Sequence, residues 1–399
     1  MKKTFITLMS ILLIAAFALS ACGTPTAAPQ PTAAPAEAVT LTLWHGYHTG
    51  GTEEAALTKL VNAYQGMHSD VKINVLAIPF DQLFNKYETE VAAGAGPDMF
   101  TAPNDSLGNE VRAGLVAPVD VLVAGKLDGY TQAGINGVTV DGKMYAVPGI
   151  AKAVALYYNK STVATPPATL DELMTMVKAG KKIVLNQSAY HNFGIFTGPF
   201  GGVLMDASGK CTADKGGFAE AFQYLVDLKA AGGIFETDGG KADTEFRQGQ
   251  ADMIINGPWV LGDYRSDLKD KLGVAPIPAG PKGPATPMAG IDGFYINPNS
   301  KNQQAAVDAA LYIFGKDGLT EYANTAGDPP ARSDVVSTDP LVTAFASAAA
   351  GGFPRPQSAE FGNWWGPFGD ALNSVMEGQS KPVDAVATAC TTMNTANKK

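Results

Sequence analysis

The sequence predicts an α/β protein of two lobes, each built on a mostly parallel sheet. Strand-like alternation and helix-like periodicity take turns along the first third of the chain, and the same alternation resumes past residue 180. A length of 399 residues suits two domains with sizeable cores. Parallel neighbours require a crossover connection, so a βαβ order covers both faces of a sheet with helices. Ligands then bind beyond the carboxyl ends of the strands.

The first 21 residues precede the fold. Lys2 and Lys3, the apolar run Phe5–Leu19 and the small pair Ser20-Ala21 have the layout of a secretory signal, and the run falls short of the roughly 20 apolar residues that span a bilayer. Leu19-Ser20-Ala21-Cys22 resembles the lipobox of bacterial lipoproteins, in which the cysteine becomes the lipidated first residue. Two acyl chains would hold a domain stably at a membrane surface; the plainer alternative is an ordinary signal followed by an incidental cysteine. The remainder of residues 22–38 is a Pro/Ala/Thr run without apolar periodicity and is expected to be a tether, reaching roughly 45 Å in polyproline form.

Val39–Trp44 alternates as a strand. Thr52-Glu53-Glu54 offers a cap and an acidic first turn to a helix with Ala56, Leu57, Leu60, Val61 and Tyr64 on one face. Val71–Ile78 is a second strand, Asp81 is the expected cap of a helix bearing Phe84, Tyr87 and Val91, and a short strand near Asp98–Thr101 follows "AAGAGP". The second lobe is expected to carry strands at Lys181–Leu185 and Ala251–Ile255, a helix at Phe218–Ala231 and a Gly/Pro-rich passage at Pro276–Pro287.

Composition narrows the function. The 29 basic and 38 acidic residues become 27 and 38 once Lys2 and Lys3 are removed, a formal charge of −11, which disfavours nucleic acid or anionic lipid as the main ligand. Cys211 and Cys390 remain beside Cys22 and are candidates for a disulfide in an oxidising compartment, against two buried free thiols. No phosphate-binding loop, zinc-protease, redox dithiol, nucleophile-elbow or dinucleotide motif is present. His45, His48, His68 and His191 lack metal spacing, so no metal or other cofactor is expected. A carboxylate pair for glycoside hydrolysis stays open, because sequence does not give the separation.

The four tryptophans fall at expected strand ends or turns: Trp44 after "LTL", Trp259 after "NGP", and Trp364-Trp365 in "FGNWWGPFGD". Singly, each reads as a plug between packed elements. Together, at ligand-proximal ends, they suggest faces for the apolar CH surface of a sugar.

The blocks "LTLWHGYHTGGTEEAALTKLV", "AAGAGPDMF", "DGKMYAVPGIAKAVALYYNK", "EFRQGQADMIINGPW", "AGIDGFYINPNS", "PPARSDV" and "WWGPFGDALNSVMEG" stand in the order found in extracellular solute-binding protein family 1, which this chain resembles from about residue 39 to 395. The resemblance implies the type II periplasmic-binding-protein-like fold. Three crossings between lobes match Gly149–Val154, Met288–Gly293 and Phe314–Gly318. The N-lobe would comprise 39–150 and 290–315, and the C-lobe 151–289 and 316–399. It further implies a monomeric, non-enzymatic receptor on the extracytoplasmic face that closes on a carbohydrate, malto-oligosaccharides foremost, and hands it to the permease subunits of an ABC importer. A secreted glycosidase, or a receptor of the same fold for another sugar or a chemoreceptor, is the alternative.

By position, Asp105 matches a carboxylate that receives sugar hydroxyls, Trp259 a stacking aromatic, Trp364 and Trp365 an aromatic pair at the C-lobe rim, and Tyr190 a ring-contacting tyrosine. Trp44, His48 and Asp292 fall in cleft-facing loops. The chain departs from the family's maltose-binding member at Ala102, where a Trp is usual, at Lys152, where a hinge acid is usual, and at Phe368, where an Arg is usual. Those departures concern the sugar, with Lys152 kept in the expected ligand-binding set.

Overall fold

The computed structural model describes residues 38–399. The expected signal, Cys22 and the tether up to residue 37 lie outside the described residues. Among the described residues, no helix is long and apolar enough to cross a membrane.

In chain order the strands are β1 (Val39–His45), β2 (Val71–Ala77), β3 (Met99–Pro103), the hairpin pair β4 (Thr139–Val140) and β5 (Lys143–Met144), β6 (Ala146–Lys152), β7 (Ala155–Asn159), β8 (Ile183–Asn186), β9 (Ile234–Glu236), β10 (Met253–Asn256), β11 (Leu272–Ala275), β12 (Met288–Ile296) and β13 (Phe353–Pro354). They form two main sheets. The first runs β13-β12-β3-β1-β2, with β6 also paired to β12. Its β1–β2 and β1–β3 pairs are parallel, and β12 is antiparallel to both β3 and β6. The second runs β11-β7-β10-β8-β9, parallel from β10 to β9 and antiparallel at β7.

Periodicity explains the layers. The helix Thr52–Met67 buries Ala56, Leu57, Leu60, Val61 and Tyr64, the face read from the sequence. In the second sheet, Ile183, Leu185 and Ile255 pack into one core while Val184, Ile254 and Tyr157 pack into another on the opposite face, as the two-residue side-chain period of a strand buried on both sides requires. Two expected caps move. Gly51 and Pro79 precede the first two helices, which leaves Thr52 and Asp81 inside the first turns.

The cores correct one expected boundary. The first core gathers residues from Leu41 to Ile150 and from Ile291 to Val335; the second lobe's two cores draw on Val154 to Met288 and Val342 to Met393. Residues 316–335 therefore pack with the first lobe, not the second. The cause is aromatic packing: Tyr322 meets Phe314 at 5.8 Å and Tyr47 at 6.2 Å, and Phe314 meets Phe294 at 4.5 Å. Core membership thus changes between Ile150 and Val154, between Met288 and Ile291, and between Val335 and Val342.

Cys211 and Cys390 are joined in a disulfide with Cα atoms 5.3 Å apart. It ties the last helix, Pro382–Ala396, to the loop before the helix Phe218–Ala230, beside a hydrogen bond from the Cys211 N–H to Asn394 Oδ1 at 2.8 Å.

Candidate ligand cleft

At the boundary between lobes three aromatic side chains converge from separate elements of the second lobe. Tyr190 is the second residue of the helix Ala189–Thr197, whose start is pinned by Asn192 Nδ2 donating to the carbonyls of Asn186 and Ser188 at 2.8 and 2.9 Å. Trp259 lies in the turn Pro258–Val260 directly after β10. Pro258 cannot continue a strand ladder, and a Cβ on Gly257 would overlap the Trp259 ring, so glycine is required for the ring to fold back over its own backbone. The Gly257 N–H donates to Asn256 Oδ1 at 2.8 Å and its carbonyl accepts from the Tyr157 hydroxyl at 2.7 Å, which fixes the turn. Trp365 opens the helix Trp365–Met376. The Tyr190 ring stands 6.3 Å from both Trp259 and Trp365, and all three residues are half-buried.

Opposite them stands a polar group from the first lobe. Asp105 pairs with the guanidinium of Arg355, whose Nη1 also donates to Asn104 Oδ1 at 3.3 Å. The Arg355 side chain is only 1 % exposed, and its guanidinium carbon lies 5.4 Å from the Tyr190 ring centre and 5.7 Å from that of Trp365. Burial lowers its pKa to about 9, so it stays cationic at neutral pH. Gln357 adds a second link: its side chain accepts from the Gly108 N–H at 3.1 Å and donates to the Asn104 carbonyl at 3.2 Å. The segment 353–358 thus links β12 and the loop after β3 to the aromatic group.

A second polar group is a buried ion cluster around Lys152. Lys152 Nζ pairs with Glu53, lies 2.9 Å from Asp328 Oδ1 and lies 3.4 Å from Asp292 Oδ2. Burial alone would lower the ammonium pKa, but Asp292, Asp328 and Glu53 raise it well above the usual lysine range. Burial pushes Asp292 up to about 6 and holds Glu53 well above the usual carboxylate range despite Lys152. Asp292 Oδ1, Asp328 Oδ2 and the Tyr47 hydroxyl are buried without a partner. Burial raises Tyr190 above the ordinary tyrosine range, with smaller effects of opposite sign from Lys152 and Asp292.

The expected ligand-contact set therefore divides. Asp105, Tyr190, Trp259 and Trp365 are brought together. Lys152 and Asp292 turn toward one another and toward acids from other segments. Trp364 is 0 % exposed, packed between Phe193 at 5.3 Å and Phe368 at 6.1 Å, so it has no free face at a rim. Trp44 is 6 % exposed within β1 of the first core, its ring covered by Lys86 Nζ at 4.9 Å. It sits in the strand read from the sequence and not in the cleft-facing loop that the resemblance implied. His48 is exposed and outside the aromatic group. Ala102 is buried in β3 and Phe368 in the second core.

Sequence reasoning missed Arg355, Asn104, Gln357 and His191. "FPRPQ" carries no chemical motif, and only the placement of 353–358 beside β12 gives Arg355 its role. His191 packs edge-on against Trp259 at 6.0 Å, and burial lowers its pKa to about 4, so it is neutral near pH 7. Among the described residues, no group of three or more His, Cys, Asp or Glu side chains is arranged to hold a metal ion.

Two α/β sheets with separate cores, and an aromatic and polar group that draws on residues of both, have the layout of a solute-binding protein. The chain belongs to the family described as bacterial extracellular solute-binding protein, whose sequence profile matches residues 59–350. It is 28% identical over 363 residues to the galactooligosaccharide-binding protein of Bacillus subtilis (strain 168), covering 83% of this chain and 84% of that protein. It is 24% identical over 419 residues to the maltooligosaccharide ABC transporter solute-binding lipoprotein of Streptococcus pneumoniae (strain ATCC BAA-255 / R6), covering 98% of this chain and 96% of that one. The structure of the Thermus thermophilus maltotriose binding protein bound with maltotriose matches with a TM-score of 0.80 at 28% identity, covering 89% of this chain and 99% of that one. These relatives are binding proteins rather than enzymes.

Proposed function

We propose that this protein is an oligosaccharide receptor, malto-oligosaccharides foremost, serving an ABC importer from the extracytoplasmic face of the membrane, and that it binds without chemically changing its ligand. The observation that carries this reading is the convergence of Tyr190, Trp259 and Trp365 opposite Asp105 and Arg355. Flat aromatic faces suit the CH surface of a pyranose, and a few fixed polar groups suit its hydroxyls. The similarity to two oligosaccharide-binding relatives and to a maltotriose complex supports the same class of ligand. The three clustered carboxylates, Glu53, Asp292 and Asp328, are buried around Lys152 rather than open to a glycosidic bond, which argues against hydrolysis.

In this reading Cys22 carries the lipid, the Pro/Ala/Thr run lets the receptor reach the permease, and the lobes close around the sugar as a monomer. A thermal-shift panel of maltose, maltotriose, maltotetraose and galacto-oligosaccharide tests the ligand class. A ligand that binds only the folded state adds about 2.7 kcal/mol of stability at 100 times its Kd, so a malto-oligosaccharide should raise the melting temperature. No shift with any saccharide would refute the reading. Cys22→Ala should release the protein from membranes, and a variant that still pellets with them would refute the anchor.

A further inference from the structure

We propose that Arg355 and Asp105 set the charge class of the ligand: the cleft takes neutral saccharides and rejects acidic ones, with Arg355 reading the sugar through the donor it has left over. This rests on the saccharide-receptor reading above. Guanidinium carries five N–H donors. In Arg355, Nη1 serves Asp105 and Asn104, while Nε is buried with no partner at all. Buried polar groups are seldom left so. The unfilled donor belongs to a guanidinium within 6 Å of two half-buried rings of the aromatic platform, where a sugar hydroxyl or ring oxygen would satisfy it.

The charge balance decides what else fits. Arg355 is a cation already neutralised by Asp105. A carboxylate on the sugar would compete with Asp105 for the same guanidinium, and the loser would be an anion stranded in a largely dry cleft. Lys152 offers no second anchor, because its ammonium is surrounded by Glu53, Asp292 and Asp328, an excess of acid that repels a further anion. A neutral sugar meets neither obstacle.

The test is calorimetric titration of the detergent-solubilised full chain with maltotriose and with the matching trisaccharide whose terminal residue is glucuronic acid. The wild type should bind the acidic sugar at least about 100-fold more weakly, as expected where like charges are forced together. Asp105→Asn removes the competing carboxylate, so it should narrow that ratio to about tenfold or less by strengthening the acidic ligand. Arg355→Gln should weaken maltotriose at least about tenfold, the scale of a lost charge-assisted hydrogen bond, without admitting the acidic sugar. Asp105 is a quarter exposed and its replacement keeps the shape, so that variant remains informative if Arg355→Gln fails to fold. Equal affinity of the wild type for both sugars, or a ratio unmoved in Asp105→Asn, overturns this inference and leaves the receptor reading standing. Binding of neither sugar also overturns this inference, and the receptor reading falls with it only if no saccharide of the thermal-shift panel binds.

Discussion

Lys152 Nζ and Asp292 Oδ2 lie 3.4 Å apart on adjacent antiparallel strands, two residues out of direct register, because Asp292 pairs with Ile150 and Gly290 with Lys152. A shift in the β6–β12 pairing between Asp292 and Gly293 falls beside this pair. Irregularities of that kind re-aim side chains and recur near functional sites. Core membership changes just past Lys152 and just before Asp292, so the pair sits where the chain passes from one core to the other.

Lys152→Met should therefore destabilise the protein. It leaves three acids buried without their cation, and breaking a buried ion pair by removing one partner costs about 3–5 kcal/mol. Urea denaturation at pH 7 measures this. The deficit should shrink at pH 5, where Asp292, with its pKa raised to about 6, takes up a proton. A loss under about 1 kcal/mol at pH 7 would mean the cluster does not anchor the fold electrostatically.

Glu110 predicts a second pH effect. Burial, helped by Glu88, raises its pKa from 4.5 to about 8, and its Oε1 has no partner. Above pH 4.5 the unfolded chain releases this proton while the folded chain keeps it, so stability falls as pH rises until the folded carboxyl ionises near 8. The slope is at most about 1.4 kcal/mol per pH unit. Glu110→Gln mimics the protonated form and should be at least about 1 kcal/mol more stable than wild type at pH 9, with little difference at pH 5. Denaturation curves at the two pH values check this; parallel pH profiles would refute it.

How far the sequence could carry these conclusions depended on whether a feature was local. The helix Thr52–Met67 was legible because its apolar stripe is a period in one segment, and β10 because an apolar run ends at Asn256-Gly257-Pro258. Trp259 followed from that break. Trp44 and Trp364 did not, because an aromatic at a strand end or turn reads the same whether its outer face meets solvent or another layer, and Lys86 and Phe193 cover them from distant segments. The partners of Lys152 come from residues 53, 292 and 328, and Arg355 reaches Asp105 across 250 positions, so no local pattern announced either group. Residues 316–335 were assigned to the wrong lobe because the packing of Tyr322 on Phe314 and Tyr47 is likewise invisible in periodicity.

The Cys211–Cys390 bond closes a loop with a sequence separation of 179. Restricting so long a loop in the unfolded chain stabilises the fold by about 2–5 kcal/mol. The double variant Cys211→Ala, Cys390→Ala should lose that much in chemical denaturation while binding saccharide with nearly unchanged affinity, since the bond joins the loop before the helix Phe218–Ala230 to the last helix, Pro382–Ala396, and neither carries an aromatic of the platform. A large loss of affinity in the folded variant would contradict this separation of roles.

Calorimetric titration of wild type and Trp259→Ala with a malto-oligosaccharide measures whether Trp259 faces a sugar ring. Losing the ring should remove roughly 2–3 kcal/mol of apolar burial and stacking, a rise in Kd of about 30- to 150-fold. Melting curves of the unliganded proteins, run alongside, separate this from simple plugging, which predicts a large fall in melting temperature with affinity kept. A Kd within about threefold of wild type, under ~0.7 kcal/mol, would contradict the stacking role and the cleft built around it.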